Sequence, residues 1–99
     1  MDLHELDAHN MVTYDEPIVV FGEKNGKKAN TYIVGVPEEE RKTTLEQMKK
    51  KFGCGGSIKT IIYEEEERTV LHLQGDKVRN AGEYMKSTVK DKIILKPII

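Results

Sequence analysis

The dipeptide Asn25-Gly26 lies between two runs that are rich in β-branched residues. Both of its residues tolerate positive φ, and Asn-Gly between apolar runs is the strongest short-range signal for a β-hairpin. The run before it begins after Pro17, and the run after it covers residues 31–34. The sequence therefore predicts a first hairpin whose tip, residues 24–28, carries three lysines.

The next segment has the end signals of a helix. Three glutamates follow Pro37 and three lysines precede Phe52, so the charges complement the two ends of a helix dipole. Leu45, Met48 and Phe52 recur at helical spacing and predict the buried face. Gly53 is then expected to end the helix, because glycine adopts the left-handed conformation at low cost.

The second half of the chain also predicts a hairpin followed by a helix. Residues 57–63 and 69–74 predict a second hairpin with the glutamate run 64–67 at its tip. Asp76 is predicted to cap a second helix by accepting bonds from its first amides. Residues 92–96 predict a last strand.

The order β-β-α-β-β-α-β predicts an α+β fold of two layers. We expect an α/β plait: a five-stranded, mostly antiparallel sheet with both helices on one face. Residues 1–15 lack periodicity and are predicted to be a flexible acidic tail, followed by one domain at residues 16–99.

Composition favours a cytoplasmic protein. No apolar run approaches the roughly 20 residues that span a bilayer, and the first residues lack the features of a secretory signal. Cys54 is the single cysteine, so no internal disulfide is expected.

The net charge of −1 conceals an asymmetry. Residues 1–23 contain several acids but no lysine or arginine, so all 16 basic residues follow them. A basic body with its acidity confined to a tail and one loop suits a polyanion binder. An ordinary solvated surface explains the same composition equally well.

The residues of common catalytic sites are not arranged for catalysis. His4 and His9 lie in the tail, His72 lies alone on a strand, and Cys54 has no neighbouring histidine. Metal-binding spacings such as Cys-x-x-Cys do not occur. We therefore expect no catalytic residue, no metal and no cofactor.

Three basic or polar elements are candidates for RNA binding. The hairpin tip would project charge outward, the first helix would present lysines along one flank, and the turn before the second helix would face an anion. Routine solvated lysines, dipole complementation and helix capping are the simpler alternatives for the three. The candidate RNA-binding residues are Lys24, Asn25, Gly26, Lys27, Lys28, Lys42, Lys49, Lys50, Lys51, Lys77 and Arg79, and the turn of undecided role is Gln74, Gly75 and Asp76.

Together these segments resemble the eukaryotic translation initiation factor 1 family. The resemblance rests on residues 24–28, on Lys-Lys-Lys-Phe-Gly-Cys-Gly-Gly at 49–56, on Leu-His-Leu-Gln-Gly-Asp at 71–76 and on the hydrophobic last strand. It covers roughly residues 17–96. Thr43 and Glu46 replace bases that are frequent in the family, so the chain resembles a divergent member.

The resemblance implies a non-enzymatic, monomeric factor that binds small-subunit ribosomal RNA beside the peptidyl site. Such a factor enforces start-codon selection by occupancy and by repelling initiator tRNA, alongside other initiation factors and without a membrane. The loop of Glu64, Glu65, Glu66 and Glu67 would face the tRNA.

The sequence leaves two rival functions open. An acylphosphatase-type enzyme shares the plait, but it needs an arginine in a phosphate loop after the first strand, where this chain has Glu23. The other rival is a protein-interaction module that uses its acidic tail and binds RNA only incidentally.

Overall fold

A computed structural model describes residues 16–89 and 92–96. The predicted tail and the residues after Lys96 lie outside this part of the chain. The elements follow the predicted order: β1 (Ile18–Asn25), β2 (Lys28–Val34), α1 (Glu38–Phe52), β3 (Gly56–Tyr63), β4 (Glu66–Gln74), α2 (Val78–Thr88) and β5 (Ile93–Lys96).

The five strands form one sheet in the order β3-β4-β2-β1-β5. The pairs β1–β2, β2–β4 and β3–β4 are antiparallel, and β5 runs parallel to β1. This confirms the predicted α+β fold with a mostly antiparallel sheet. The parallel pair follows from the topology, because α2 carries the chain back across the sheet before β5 begins.

The core lies between the sheet and the two helices. From the strands, Ile33, Leu71 and Leu73 are fully buried, and Met48 of α1 and Met85 of α2 cover them. Both helices therefore pack on one face, as predicted. The opposite face of the sheet carries no helix among the described residues, and we call it the open face.

The first hairpin is confirmed, but its turn is one residue later than the sequence predicts. Asn25 pairs with Lys28, so the two-residue loop is Gly26-Lys27. Gly26 has φ of +66°, which suits the first central position of a turn that needs glycine there. Asn25 closes the ladder instead of occupying the turn.

The first helix ends as predicted. Gly53 adopts a left-handed conformation, with φ of 63° and ψ of 40°, and its N–H donates to the Lys49 carbonyl. Pro37 stands immediately before the helix, at the N-cap position, and not within the first turn.

The predicted capping role of Asp76 is wrong. The second helix begins at Val78, with Lys77 as the N-cap residue, so Asp76 lies one position too early. The hydroxyl of Thr31 on β2 anchors this turn instead. It accepts a bond from the Lys77 N–H at 2.7 Å and donates one to the Gly75 carbonyl at 2.8 Å.

We expect Thr31→Val to lower the free energy of unfolding by about 1–2 kcal/mol, because it leaves two partly buried backbone groups of the turn without partners. Asp76→Ala is the matched comparison, and it should change stability by less than about 0.5 kcal/mol. Urea denaturation of the two variants measures both effects. A larger loss from Asp76→Ala than from Thr31→Val would contradict this account of the turn.

Candidate nucleic-acid interface

Three loops meet at one end of the sheet. β1 runs towards the Gly26-Lys27 turn, and Gln74 at the end of β4 pairs with Asn30 near the start of β2. β3 begins beside the end of β4, so the α1–β3 loop reaches the same place. Two backbone bonds join the loops: Gln74 N–H donates to the Gly55 carbonyl at 2.9 Å, and Gly75 N–H donates to the Ala29 carbonyl at 2.8 Å.

This arrangement brings together most of the predicted RNA-binding residues. We call the surface that they form the basic end. Its members come from the first hairpin tip, the last turn of α1 and the start of α2: Lys24, Asn25, Gly26, Lys27, Lys28, Lys49, Lys50, Lys51, Lys77 and Arg79. The turn residues Gln74, Gly75 and Asp76 lie among them.

Lys42 is the exception. It stands seven residues before Lys49 on α1, about 10 Å along the helix axis, and so lies away from the basic end. Lys49 itself is partly shielded, because its Nζ is 3.6 Å from the Glu46 carboxylate. Lys50 and Lys51 are exposed.

The glutamate run lies at the opposite end of the sheet. The sequence predicted all four residues 64–67 as the hairpin tip, but only Glu64 and Glu65 form the turn, while Glu66 and Glu67 begin β4. The N-terminus of α1, with its three glutamates, lies at this end too. Glutamates are therefore concentrated at this end, which we call the acidic end, although Arg41 and Arg68 lie there as well.

Both residues of the acidic turn have positive φ: 52° for Glu64 and 68° for Glu65. A side chain with a Cβ is unfavourable in this region, at a cost of about 1 kcal/mol or more for each residue. Two-residue hairpin turns that require positive φ at both positions normally use Asn-Gly. The chain thus has glutamates at two positions where Asn-Gly would be more stable.

The second hairpin curls over the open face. The Arg68 guanidinium lies 2.8 Å from the Glu16 carboxylate, which links β4 to the residues before β1. Tyr63 stacks on Phe21 of β1, with ring centroids 5.5 Å apart, and the Lys96 Nζ lies 3.3 Å from the Tyr63 hydroxyl. These contacts hold the acidic turn near the start of β1.

A row of aromatic side chains that was not predicted from the sequence crosses the open face. Phe21 stacks on Tyr32 at 5.2 Å, and Tyr32 lies against His72 at 5.3 Å. The available signal was strand alternation: each of the three residues stands next to a core position on its strand. The pairing of β1, β2 and β4 is what brings them together.

His72 is the buried member of this row, with 6% of its surface exposed. Its Nε2–H donates to Asn30 Oδ1 at 2.7 Å, and its Nδ1 has no partner among the described residues. Burial, aided by the charge of Lys59, lowers the pKa of His72 below its ordinary value of 6.5. The imidazole is therefore neutral at pH 7, and acidification below about 6.5 should destabilise the fold, since the unfolded chain then binds more protons.

Other kinds of site are not evident in the described part of the chain. Residues 16–89 and 92–96 contain no cluster of three side chains suited to hold a metal ion. Within the same residues, no helix is long and apolar enough to span a bilayer.

Two large apolar side chains are exposed, Ile58 at 42% and Ile62 at 70%, because β3 is the edge strand and extends beyond the helices.

The family model described as "Translation initiation factor SUI1" matches residues 17–91. The chain belongs to this family. It is 38% identical over 66 residues to "Eukaryotic translation initiation factor eIF-1" of Saccharomyces cerevisiae, which covers 66% of this chain and 58% of that protein. It is 33% identical over 64 residues to "Eukaryotic translation initiation factor 1" of Homo sapiens, which covers 64% of this chain and 54% of that protein.

These matches confirm the resemblance read from the sequence: the chain is a divergent member of the SUI1 family. It spans a little more than half the length of the curated relatives that it matches. The matched region, residues 17–91, contains the basic end and the acidic turn.

The strain in the acidic turn can be measured by replacing it with Asn-Gly. We expect Glu64→Asn combined with Glu65→Gly to raise the free energy of unfolding by about 1–2 kcal/mol, because both new residues tolerate positive φ. Urea denaturation of the SUI1-family protein and of this double variant gives the difference. Glu66→Asn, which lies in β4 outside the turn, is the control and should not stabilise the protein. Equal stability of the native and Asn-Gly proteins would show that the turn holds no strain.

Proposed function

We propose that this protein is a translation initiation factor that binds the small ribosomal subunit near the peptidyl site and takes part in start-codon selection. It acts without catalysing a reaction, by occupying its site until the correct codon is paired. The single observation that carries the proposal is the difference in charge between the two ends of a SUI1-family domain: one end carries a cluster of lysines, and the other carries the glutamate turn.

The basic end supplies the affinity for ribosomal RNA. Lysine side chains that neutralise phosphates release condensed counterions, and several such contacts on one surface add together. The hairpin tip projects beyond the sheet, so Lys27 can enter a groove while Lys50 and Lys51 of α1 contact the phosphates beside it. Contacts of this kind depend strongly on salt and weakly on RNA sequence.

The acidic end supplies repulsion. Four glutamates next to one another raise the free energy of any phosphate backbone that approaches, and initiator tRNA is the polyanion that must come close to the peptidyl site. Each charge pair contributes only a fraction of a kcal/mol near the Debye length of about 8 Å. Together the four could reach about 1–2 kcal/mol, which corresponds to about tenfold in an equilibrium.

The first test reverses charge at the basic end. We expect Lys50→Glu with Lys51→Glu to weaken binding to purified small subunits and to reduce the slope of log affinity against log salt by about 1–2, since two phosphate contacts are lost. Both side chains are exposed, so the fold should be unaffected. Co-sedimentation at several salt concentrations measures the affinity and the slope.

The matched control is Lys86→Glu with Lys92→Glu, which makes the same charge change at exposed positions far from the basic end. This control should bind nearly as the native protein does. Equal weakening by both double variants would mean that net charge, and not the basic end, determines binding. Unchanged binding by the Lys50 and Lys51 variant would overturn the proposed role of α1.

The second test grades the charge of the acidic turn. We expect initiation at near-matched codons to rise from the native protein, through the neutral Glu64→Asn and Glu65→Gly variant, to Glu64→Lys with Glu65→Lys. The reason is that repulsion of tRNA is first removed and then becomes attraction. A reporter that compares matched with near-matched start codons measures the effect. Both variants should bind the small subunit at least as tightly as the native protein does.

The graded series separates charge from backbone strain. Strain is relieved only in the Asn-Gly variant, so a charge effect follows the order native, neutral, lysine, whereas a strain effect singles out Asn-Gly. Equal codon discrimination by all three proteins would show that the acidic turn is only a solvated hairpin tip.

A further inference from the structure

The open face ends at the basic end in a shallow cleft between β2 and β4. Its volume is about 440 Å³, and it is lined by Lys28, Ala29, Asn30, His72, Gln74 and Gly75. Asn30 lies opposite Gln74 in the ladder, and Tyr32 lies opposite His72, so the polar side chains of two strands converge on one place. A concave site of this size with a few convergent polar groups is typical of small-ligand recognition.

The carboxamides of Asn30 and Gln74 form part of the polar lining of this cleft. The bond from His72 Nε2–H occupies the Asn30 oxygen, which leaves the Asn30 amino group as a donor. The Gln74 side chain lies over Gly55: a Cβ at that glycine would be only 2.9 Å from Gln74 Oε1. The exposed Gln74 amide therefore offers an adjacent donor and acceptor, the pair that reads an adenine edge.

The two sides of the cleft carry opposite charges. Lys28 lies on the same face of β2 as Asn30, at the edge nearest the hairpin tip, where it can meet a phosphate. On the other side, Glu23 pairs with Asn30 across the β1–β2 ladder, and the Tyr32 hydroxyl donates a bond to its carboxylate at 3.5 Å. A phosphate is thus attracted to one side of the cleft and repelled from the other.

Lys28 is the charged residue in the lining of the cleft. His72 closes the aromatic row, is buried, and has a lowered pKa, so it adds no positive charge to the cleft at pH 7. A paired base in an A-form helix does not present its edge to such a cleft, whereas an unstacked base in a loop or bulge does.

We infer that the cleft binds one unpaired nucleotide of RNA, with adenine preferred, its base edge on the carboxamides of Asn30 and Gln74 and its phosphate at Lys28. The inference deepens the proposed function and rests on it for the RNA partner. It adds base recognition to the phosphate contacts of the basic end, and it assigns a role to Gln74 that neither helix capping nor charge explains.

The experiment compares a short single-stranded oligoadenylate with an oligouridylate of the same length, because a bidentate carboxamide contact discriminates against the wrong base. The two probes carry equal charge, so phosphate contacts cancel. We expect the native protein to bind the oligoadenylate about tenfold more tightly, the value of one good bidentate contact. Gln74→Met keeps the length of the side chain but removes the amide, so it should reduce the difference to about twofold or less.

Gln47→Met is the matched control, because Gln47 is exposed on α1 and bonds to Tyr84, away from the cleft. This variant should keep the native preference for the oligoadenylate. Native protein that binds both probes equally, or a Gln74→Met variant that keeps the full difference, would overturn the inference.

Co-sedimentation of the same three proteins with small subunits separates this inference from the proposed function. Subunit binding without any preference for the oligoadenylate would overturn the cleft alone. A preference for the oligoadenylate without subunit binding would support the cleft and overturn the proposed function.

Discussion

The antiparallel pairing of β2 with β4 joins two hairpins that are separated in the chain by a whole helix. It places Ile33 opposite Leu71 and Thr31 opposite Leu73, and all four side chains are fully buried. Each buried aliphatic side chain contributes about 1.5–3 kcal/mol, which offsets the entropy of closing so long a loop. The Thr31 hydroxyl extends the same pairing into the turn before α2, so the helix start depends on a strand residue distant in sequence.

This pairing also determines where the charges lie. Because β4 runs antiparallel to β2, its end meets the first hairpin tip, and its start carries the glutamates to the far end of the sheet. Single surface charges are screened and contribute little to stability. Folding therefore does not account for the cluster of lysines at one end and of glutamates at the other, and the positive φ of Glu64 and Glu65 has no evident benefit for stability either. Both observations support the proposed polyanion partner.

The open face carries a different feature at each end of the molecule. Near the start of β1, Tyr63 and Arg68 bring the second hairpin across the sheet and position the acidic turn. Near the basic end, no helix of residues 16–89 and 92–96 covers the face, and His72 and Asn30 contribute to the cleft there. The same face thus holds the second hairpin at one end and the cleft at the other.

The order and type of the elements were predictable from the sequence, because they follow from local signals: the hydrophobic periodicity, the helix-end charges and the left-handed glycine at Gly53. The locations of the lysine groups could also be read from the sequence, but not that they share one end. The sequence could not show that Thr31, and not Asp76, anchors the second helix, since that bond joins residues 46 positions apart. The cleft at His72 was equally hidden, because cross-strand neighbours are chosen by strand pairing, and the free energy that selects one pairing comes from burial in the assembled core.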